Sequence, residues 1–170
     1  MENAMAIKES WPGRYLEDFS VGDVYKHPIG RTVIETDNVW FTCATMNTNQ
    51  VHFNHHYASK TPFGKPLVNS CFTLALVNGL SVEGTSRNGM VLEWRNVRMP
   101  NPLYVGETVY AESEILDVRE SKSKPGRGIV KVATRGITAE GKIIMEFERS
   151  IMVYRKDSAP GGMIFPTVKQ

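Results

Sequence analysis

The chain has 170 residues, with 20 basic and 18 acidic side chains and a formal charge of +2. That length suits one domain with a full core, and so small a charge excludes a general nucleic-acid or polyanion binder while leaving room for a small phosphate-bearing ligand. No apolar run reaches the roughly 20 residues of a membrane span, and "MENAMAIKES" lacks the basic and apolar regions of a signal peptide, so a cytoplasmic protein without a membrane partner is expected.

The two ends read as an N-terminal extension over 1–15 and a tail over 157–170, flanking one domain over 16–156. The first patterned stretch, "GDVYKHPIGRTVIE", has the β-branched and aromatic content of a strand or hairpin interrupted by Pro28 and Gly30. Thr36 and Asp37 then offer an N-cap and an early acidic residue for a short helix, with Trp40, Cys43 and Ala44 at i, i+3, i+4 on its expected inward side. A polar loop follows, "TMNTNQVHFNHHYA" from Thr45 to Ala58, which holds three of the chain's 4 histidines.

After the Pro- and Gly-punctuated "KTPFGKPLVNS", Ser70 is placed to cap a second helix, "CFTLALVNGLSVEG", ended by Gly84. This helix is apolar nearly all round, so it is expected to be central and wrapped by sheet. Cys43 and Cys71 lie in apolar helical surroundings without a CxxC pair and read as buried thiols, neither a disulfide nor a zinc site. Only strands follow: "NGMVLEWRNVRM", "ETVYAESEILDVRES", "RGIVKVATRGITAEG" and "KIIMEFERSIMVYRK", with "SKSKPGRG" and "TAEGK" as hairpin turns. In the last strand Met145, Phe147, Ile151 and Val153 alternate with Glu146, Glu148 and Ser150, and Arg149 interrupts the apolar row. The order predicts an α+β protein in which a curled antiparallel sheet holds one long helix, the hot-dog arrangement.

On these residues the chain resembles the MaoC-like, or (R)-specific enoyl-CoA hydratase, family. The family motif runs Asp, any residue, Asn, Pro, an aliphatic residue, His, any residue, Asp or Asn. Here Asn47 stands at the Asp, Asn49 at the Asn, Gln50 at the Pro, Val51 at the aliphatic, His52 at the His and Asn54 at the last position, followed by Tyr57 and Ala58. "FGKPLVNS" is similar to the family segment ending in His-Gly, with Asn69 for His and Ser70 for Gly, and "VRMPNPLYVGETV" to its strand connection. The resemblance spans roughly Val24 to Tyr154.

It implies reversible addition of water to an enoyl-CoA thioester, without metal or other cofactor. His52 would carry the proton, since imidazole exchanges protons near neutral pH. Ser70, at the helix N-terminus, would offer its N–H to the thioester oxyanion. Asn47 departs from the family: an amide can place a water but cannot accept its proton. Either His52 performs both proton steps while Asn47 and Asn49 orient the water, the favoured alternative, or the site has lost hydratase activity. Asn49, Gln50 and Asn69 are expected to contact substrate, and Lys122, Lys124 and Arg127 could meet coenzyme A phosphates, although a charged hairpin tip is usually only solvated. His55 and His56 lack metal-ligand spacing and read as packing or capping residues. The string "HFNHHYA" and the Asn47 replacement are similar to the group acting on short branched dicarboxyl thioesters such as mesaconyl-CoA or itaconyl-CoA. A homodimer or trimer of dimers is implied. Two rivals stay open: a hot-dog thioesterase using Asn78 or Glu83 on the central helix, and a non-catalytic acyl-CoA-binding subunit.

Overall fold

Period-two alternation in the C-terminal half produces four long strands, three of which bury mainly apolar residues, and the helices are laid across the face those residues share. The computed structural model describes residues 11–160, so 1–10 and 161–170 of the expected extensions lie outside the described residues. Its strands are β1 (Val24–Thr32), β2 (Gly89–Arg98), β3 (Thr108–Glu120), β4 (Arg127–Thr138) and β5 (Ile143–Tyr154). Between β1 and β2 come α1 (Glu35–Ala44), a 3-10 turn Gln50–His52, α2 (His55–Ala58) and α3 (Ser70–Thr85).

The sheet order is β1-β3-β4-β5-β2, antiparallel throughout. β1 and β2 are therefore opposite edges, and the helical segment joining them must cross one face of the sheet. Register places Thr134 opposite Phe147 and Val132 opposite Arg149, which keeps Met145, Phe147, Ile151 and Val153 buried under the helix. One apolar cluster, including Val33, Val68, Val77, Leu103, Val109 and Ile144, lies beneath the start of α3. A second, including Leu16, Ile115, Val130 and Val153, fills the other end. α3 approaches β4 at Gly136, where a Cβ would run into the Val77 side chain. Gly141, at φ +83°, turns β4 into β5 as "TAEGK" predicts.

Of the two readings of the first patterned stretch the strand is the one formed, with its register shifting between His27 and Arg31 around Pro28 and Gly30. Several other local expectations are corrected. α1 begins at Glu35, and the Asp37 carboxylate accepts the Ile34 N–H at 3.0 Å. Its buried residues are Asn38 and Thr42, whereas Trp40 is 68% exposed and Cys43 and Ala44 face outward. Polar tethers to the loop and to α3, described below, select that face over the apolar one. Asn69 rather than Ser70 caps α3, accepting from the Cys71 and Phe72 N–H groups, and the helix continues past Gly84 to Thr85. Neither Cys43 nor Cys71 is buried.

α3 is also not enclosed in this single chain. Thr73, Val77, Ser81, Gly84 and Thr85 form its buried stripe. On the opposite side Phe72, Ala75, Leu76, Gly79 and Val82 line an open apolar groove of about 770 Å³. The buried stripe is partly polar because it receives Arg149 from β5.

Candidate active site

The loop after α1 gets its shape from short-range amide bonds. The Asn47 side-chain carbonyl accepts the Asn49 N–H at 3.0 Å, and that of Asn49 accepts the Val51 N–H at 3.2 Å. Asn54 Nδ2 donates to the Gln50 side-chain Oε1, and Asn54 caps α2. These are the local bonds that Asn forms in turns and caps, and they deliver His52 to a position only 9% exposed.

His52 is fixed from two directions. Its Nδ1 lies 3.0 Å from the Leu67 carbonyl. A carbonyl only accepts, so Nδ1 carries the hydrogen and, in the neutral ring, Nε2 keeps its lone pair. Its own carbonyl accepts from Asn38 Nδ2 at 2.8 Å. Asn38 is 1% exposed; it also donates to the Leu67 carbonyl at 2.9 Å and accepts the Asn69 N–H at 2.8 Å. One buried amide thus ties the histidine loop, the segment after it and the entry to α3. Thr42, one helical turn on, accepts from Asn69 Nδ2 at 3.1 Å. Sequence reading passed over Asn38 and Thr42 because it followed apolar spacing; their i, i+4 polar pairing was the available signal.

At the head of α3, Asn69 occupies the Cys71 and Phe72 N–H groups, which leaves the first-turn N–H of Ser70 for another acceptor. Ser70 lines a cavity of about 250 Å³ with Phe63, Leu67, Thr73 and Leu103. His52 lines a neighbouring one of about 220 Å³ with Glu35, Asn38, His55, Lys65, Pro66 and Val105. Leu67, which bonds His52 and borders the Ser70 cavity, stands between them. His55 is not a packing residue: its Nε2 pairs with Glu35 at 2.6 Å on the surface.

His52, Asn69 and Ser70 are thus brought to one end of α3 through Asn38 and Leu67, whereas the side chains of Asn47, Asn49 and Gln50 bond within their own loop. Lys122, Lys124 and Arg127 lie away from that end. They stand at the β3–β4 hairpin, the far end of β3 from Thr108, about 40 Å along a strand of that length. Arg127 is engaged there with the Tyr154 hydroxyl at 2.9 Å. Among the described residues there is no cluster of three or more His, Cys, Asp or Glu side chains able to hold a metal ion.

A second polar centre is buried under α3. Arg149, 1% exposed, donates to Asn78 Oδ1 at 2.6 Å and to the hydroxyls of Ser81, Thr85 and Thr134. Its Nε is buried without a partner among the described residues. Burial lowers its pKa to about 10, so it remains charged at neutral pH. Thr134 continues to Ser113 at 2.9 Å and Ser113 to His27 Nε2 at 3.0 Å. Burial first, then the charges of Arg149 and Arg14, push the His27 pKa down to about 4 and keep that ring neutral.

An antiparallel sheet carrying one long helix, with the histidine-bearing loop bonded to the helix head, defines a MaoC-like protein of the hot-dog fold. The family model described as mesaconyl-CoA hydratase matches residues 4–166, and the chain belongs to that family. It is 26% identical over 148 residues to the mesaconyl-CoA hydratase of Cereibacter sphaeroides, covering 86% of this chain and 43% of that protein. It is 30% identical over 118 residues to the β-methylmalyl-CoA dehydratase of Chloroflexus aurantiacus, covering 69% and 34%. The crystal structure of a MaoC domain protein dehydratase, described there as putative, from Chloroflexus aurantiacus superposes with a TM-score of 0.83 at 23% identity, covering 96% of this chain and 47% of that one. The chain spans less than half the length of these relatives.

Proposed function

We propose that the chain catalyses reversible hydration of a short-chain enoyl-CoA thioester, with His52 as the proton carrier. The observation that carries this reading is the His52 Nδ1 bond to Leu67, which leaves Nε2 as the free base. In the addition direction Nε2 takes a proton from water as the water oxygen bonds to the β-carbon. The alkene electrons move toward the thioester, and the Ser70 N–H at the head of α3 meets the developing oxyanion. The same imidazole then gives its proton to the α-carbon, so atoms and charge balance over one cycle. General acid–base help of this kind is worth roughly 10² to 10⁴ in rate, and one oxyanion donor about 3–4 kcal/mol. Asn47 acts through its free amide NH₂, holding water beside His52, since its carbonyl is already engaged by Asn49.

Family membership supports a short branched dicarboxyl acyl group such as mesaconyl-CoA. No cofactor enters this scheme. The thioesterase alternative loses support because Asn78 is tied to Arg149 under α3 and Glu83 lines the outer groove. A second hot-dog unit completes the site along the β2 edge, where Met90, Leu92 and Trp94 are 57%, 48% and 48% exposed on a strand paired on one side only.

The test mixes purified protein with crotonyl-CoA, mesaconyl-CoA and itaconyl-CoA and follows alkene absorbance and thiol release. Falling absorbance without thiol is expected for hydration. Thiol release would replace the reading with a thioesterase, and no change in either with a non-catalytic binder. His52→Ala is expected to lose at least about 10²-fold in turnover; a fully active variant would overturn the assignment.

A further inference from the structure

We infer that Lys65 binds a free carboxylate on the acyl chain, which makes it the residue selecting dicarboxylic thioesters at the His52 site; this rests on the hydratase reading of that site.

Lys65 is held in a fixed relation to His52. Leu67 donates its N–H to the Val51 carbonyl at 3.0 Å and receives the His52 Nδ1–H on its own carbonyl at 3.0 Å. The segments 50–52 and 65–67 are therefore bonded side by side. Pro66 restricts Lys65 to extended backbone, so little freedom separates the two residues. Both residues line the same cavity of about 220 Å³.

The Lys65 ammonium has no carboxylate of its own among the described residues. It rests over the Tyr104 ring, 4.4 Å from the centroid. Glu107, the carboxylate beside that ring, is already taken by Lys142 at 2.6 Å and by the Tyr104 N–H at 2.6 Å. Glu35, the carboxylate in the cavity wall, is taken by His55 at 2.6 Å. Both surrounding carboxylates thus have hydrogen-bond partners of their own, and Lys65 is the one lysine or arginine lining the cavity. An aromatic ring supports an ammonium without neutralising it, which suits a residue that has to hand its charge to a ligand.

The chemistry places a carboxylate in this position. In an unsaturated dicarboxylic thioester whose free carboxylate is attached to the β-carbon, that carbon is the one water attacks. The carboxylate therefore lies next to the atom served by His52 and repels an incoming nucleophilic oxygen. A lysine in the same cavity offsets that repulsion and fixes which end of the alkene faces the water. Lys65 is exposed in the single chain, so its pair with a ligand carboxylate corresponds to roughly two- to fivefold in affinity.

The experiment measures calorimetric binding of succinyl-CoA and butyryl-CoA, which have equal chain length, differ by one carboxylate and contain no alkene to hydrate. The full chain should bind succinyl-CoA about two- to fivefold more tightly than butyryl-CoA. Lys65→Met should bring that ratio close to one, and Lys65→Arg should keep most of it. Lack of a preference in the parent protein, failure of succinyl-CoA to bind, or an unchanged ratio in Lys65→Met overturns the inference. Neither probe reports turnover, so an intact ratio in a protein that hydrates no enoyl-CoA refutes the His52 reading alone. Hydration of crotonyl-CoA without a carboxylate preference refutes the Lys65 inference alone.

Discussion

Replacing Asn38 by Ala would test whether one buried amide organises the site. The side chain is 1% exposed and serves the His52 carbonyl, the Leu67 carbonyl and the Asn69 N–H. After truncation Leu67 still accepts from His52 Nδ1, but the Asn69 N–H and the His52 carbonyl lose their partner. Two orphaned buried groups at roughly 1–3 kcal/mol each give an expected loss near ~3 kcal/mol. For a domain of this size that is a fall in Tm of roughly 6–12 °C. Asn38→Asp is the sharper probe: its carboxylate can still accept the Asn69 N–H but sets a negative oxygen against two carbonyls. It should destabilise at least as much as Ala at neutral pH and recover partly in acid, where a protonated carboxyl regains one donor. Urea unfolding gives the stability and enoyl-CoA turnover gives the consequence, which should appear in kcat more than in KM because His52 is displaced rather than removed. A loss below about 0.5 kcal/mol for Asn38→Ala, or an Asp variant as stable as the parent at pH 7, would refute the tethering argument.

Stability should also fall in acid through His27. Its folded pKa is depressed from 6.5 to about 4, so the unfolded chain takes up a proton that the fold refuses. The associated stability is complete above about pH 6.5 and lost as pH falls toward 4, about 3 kcal/mol in all; urea titrations of the parent and His27→Gln should diverge over that window. Arg149→Met should narrow the window by removing one of the charges that depress His27. It should cost less than Arg149→Ala, which adds a cavity of the kind worth roughly 2–5 kcal/mol; equal losses by thermal unfolding would contradict this. Asn69→Ala removes the α3 cap and the Thr42 contact and should cost about 1–2 kcal/mol, read by denaturation. Trp94→Lys on the β2 edge should shift sedimentation toward the single chain, and an unchanged assembly would exclude that edge as the contact.

Much of the fold could be read from local pattern. Strand β5 follows its alternation closely, since a strand half buried against a helix must alternate. The hairpins at Gly126 and Gly141 fall where turn chemistry places them, both with positive φ. Errors concentrate where tertiary bonds compete with local apolar content. α1 turns Asn38 and Thr42 inward and leaves Trp40 out, because the backbone groups of the loop and of Asn69 need partners in a buried place. α3 follows its composition in being central, but one chain supplies a single sheet and so covers a single side of it. In the site, the resemblance picked out His52 and the residues around the head of α3. It could not find Asn38 or Lys65, whose meaning comes from what lies across from them.

What the amino-acid sequence determined by itself is the element order, the strand faces and the family, because periodicity, turn residues and motif spacing are properties of neighbours along the chain. What only the tertiary structure decided is which groups share a bond or a cavity: His52 with Leu67, Asn38 with Asn69, Lys65 beside His52, and the hairpin cations far from all of them. Those relations depend on residues well separated along the chain, and the buried ones, Asn38 with Asn69 and His52 with Leu67, are settled by which groups must be satisfied once the sheet and helix have packed.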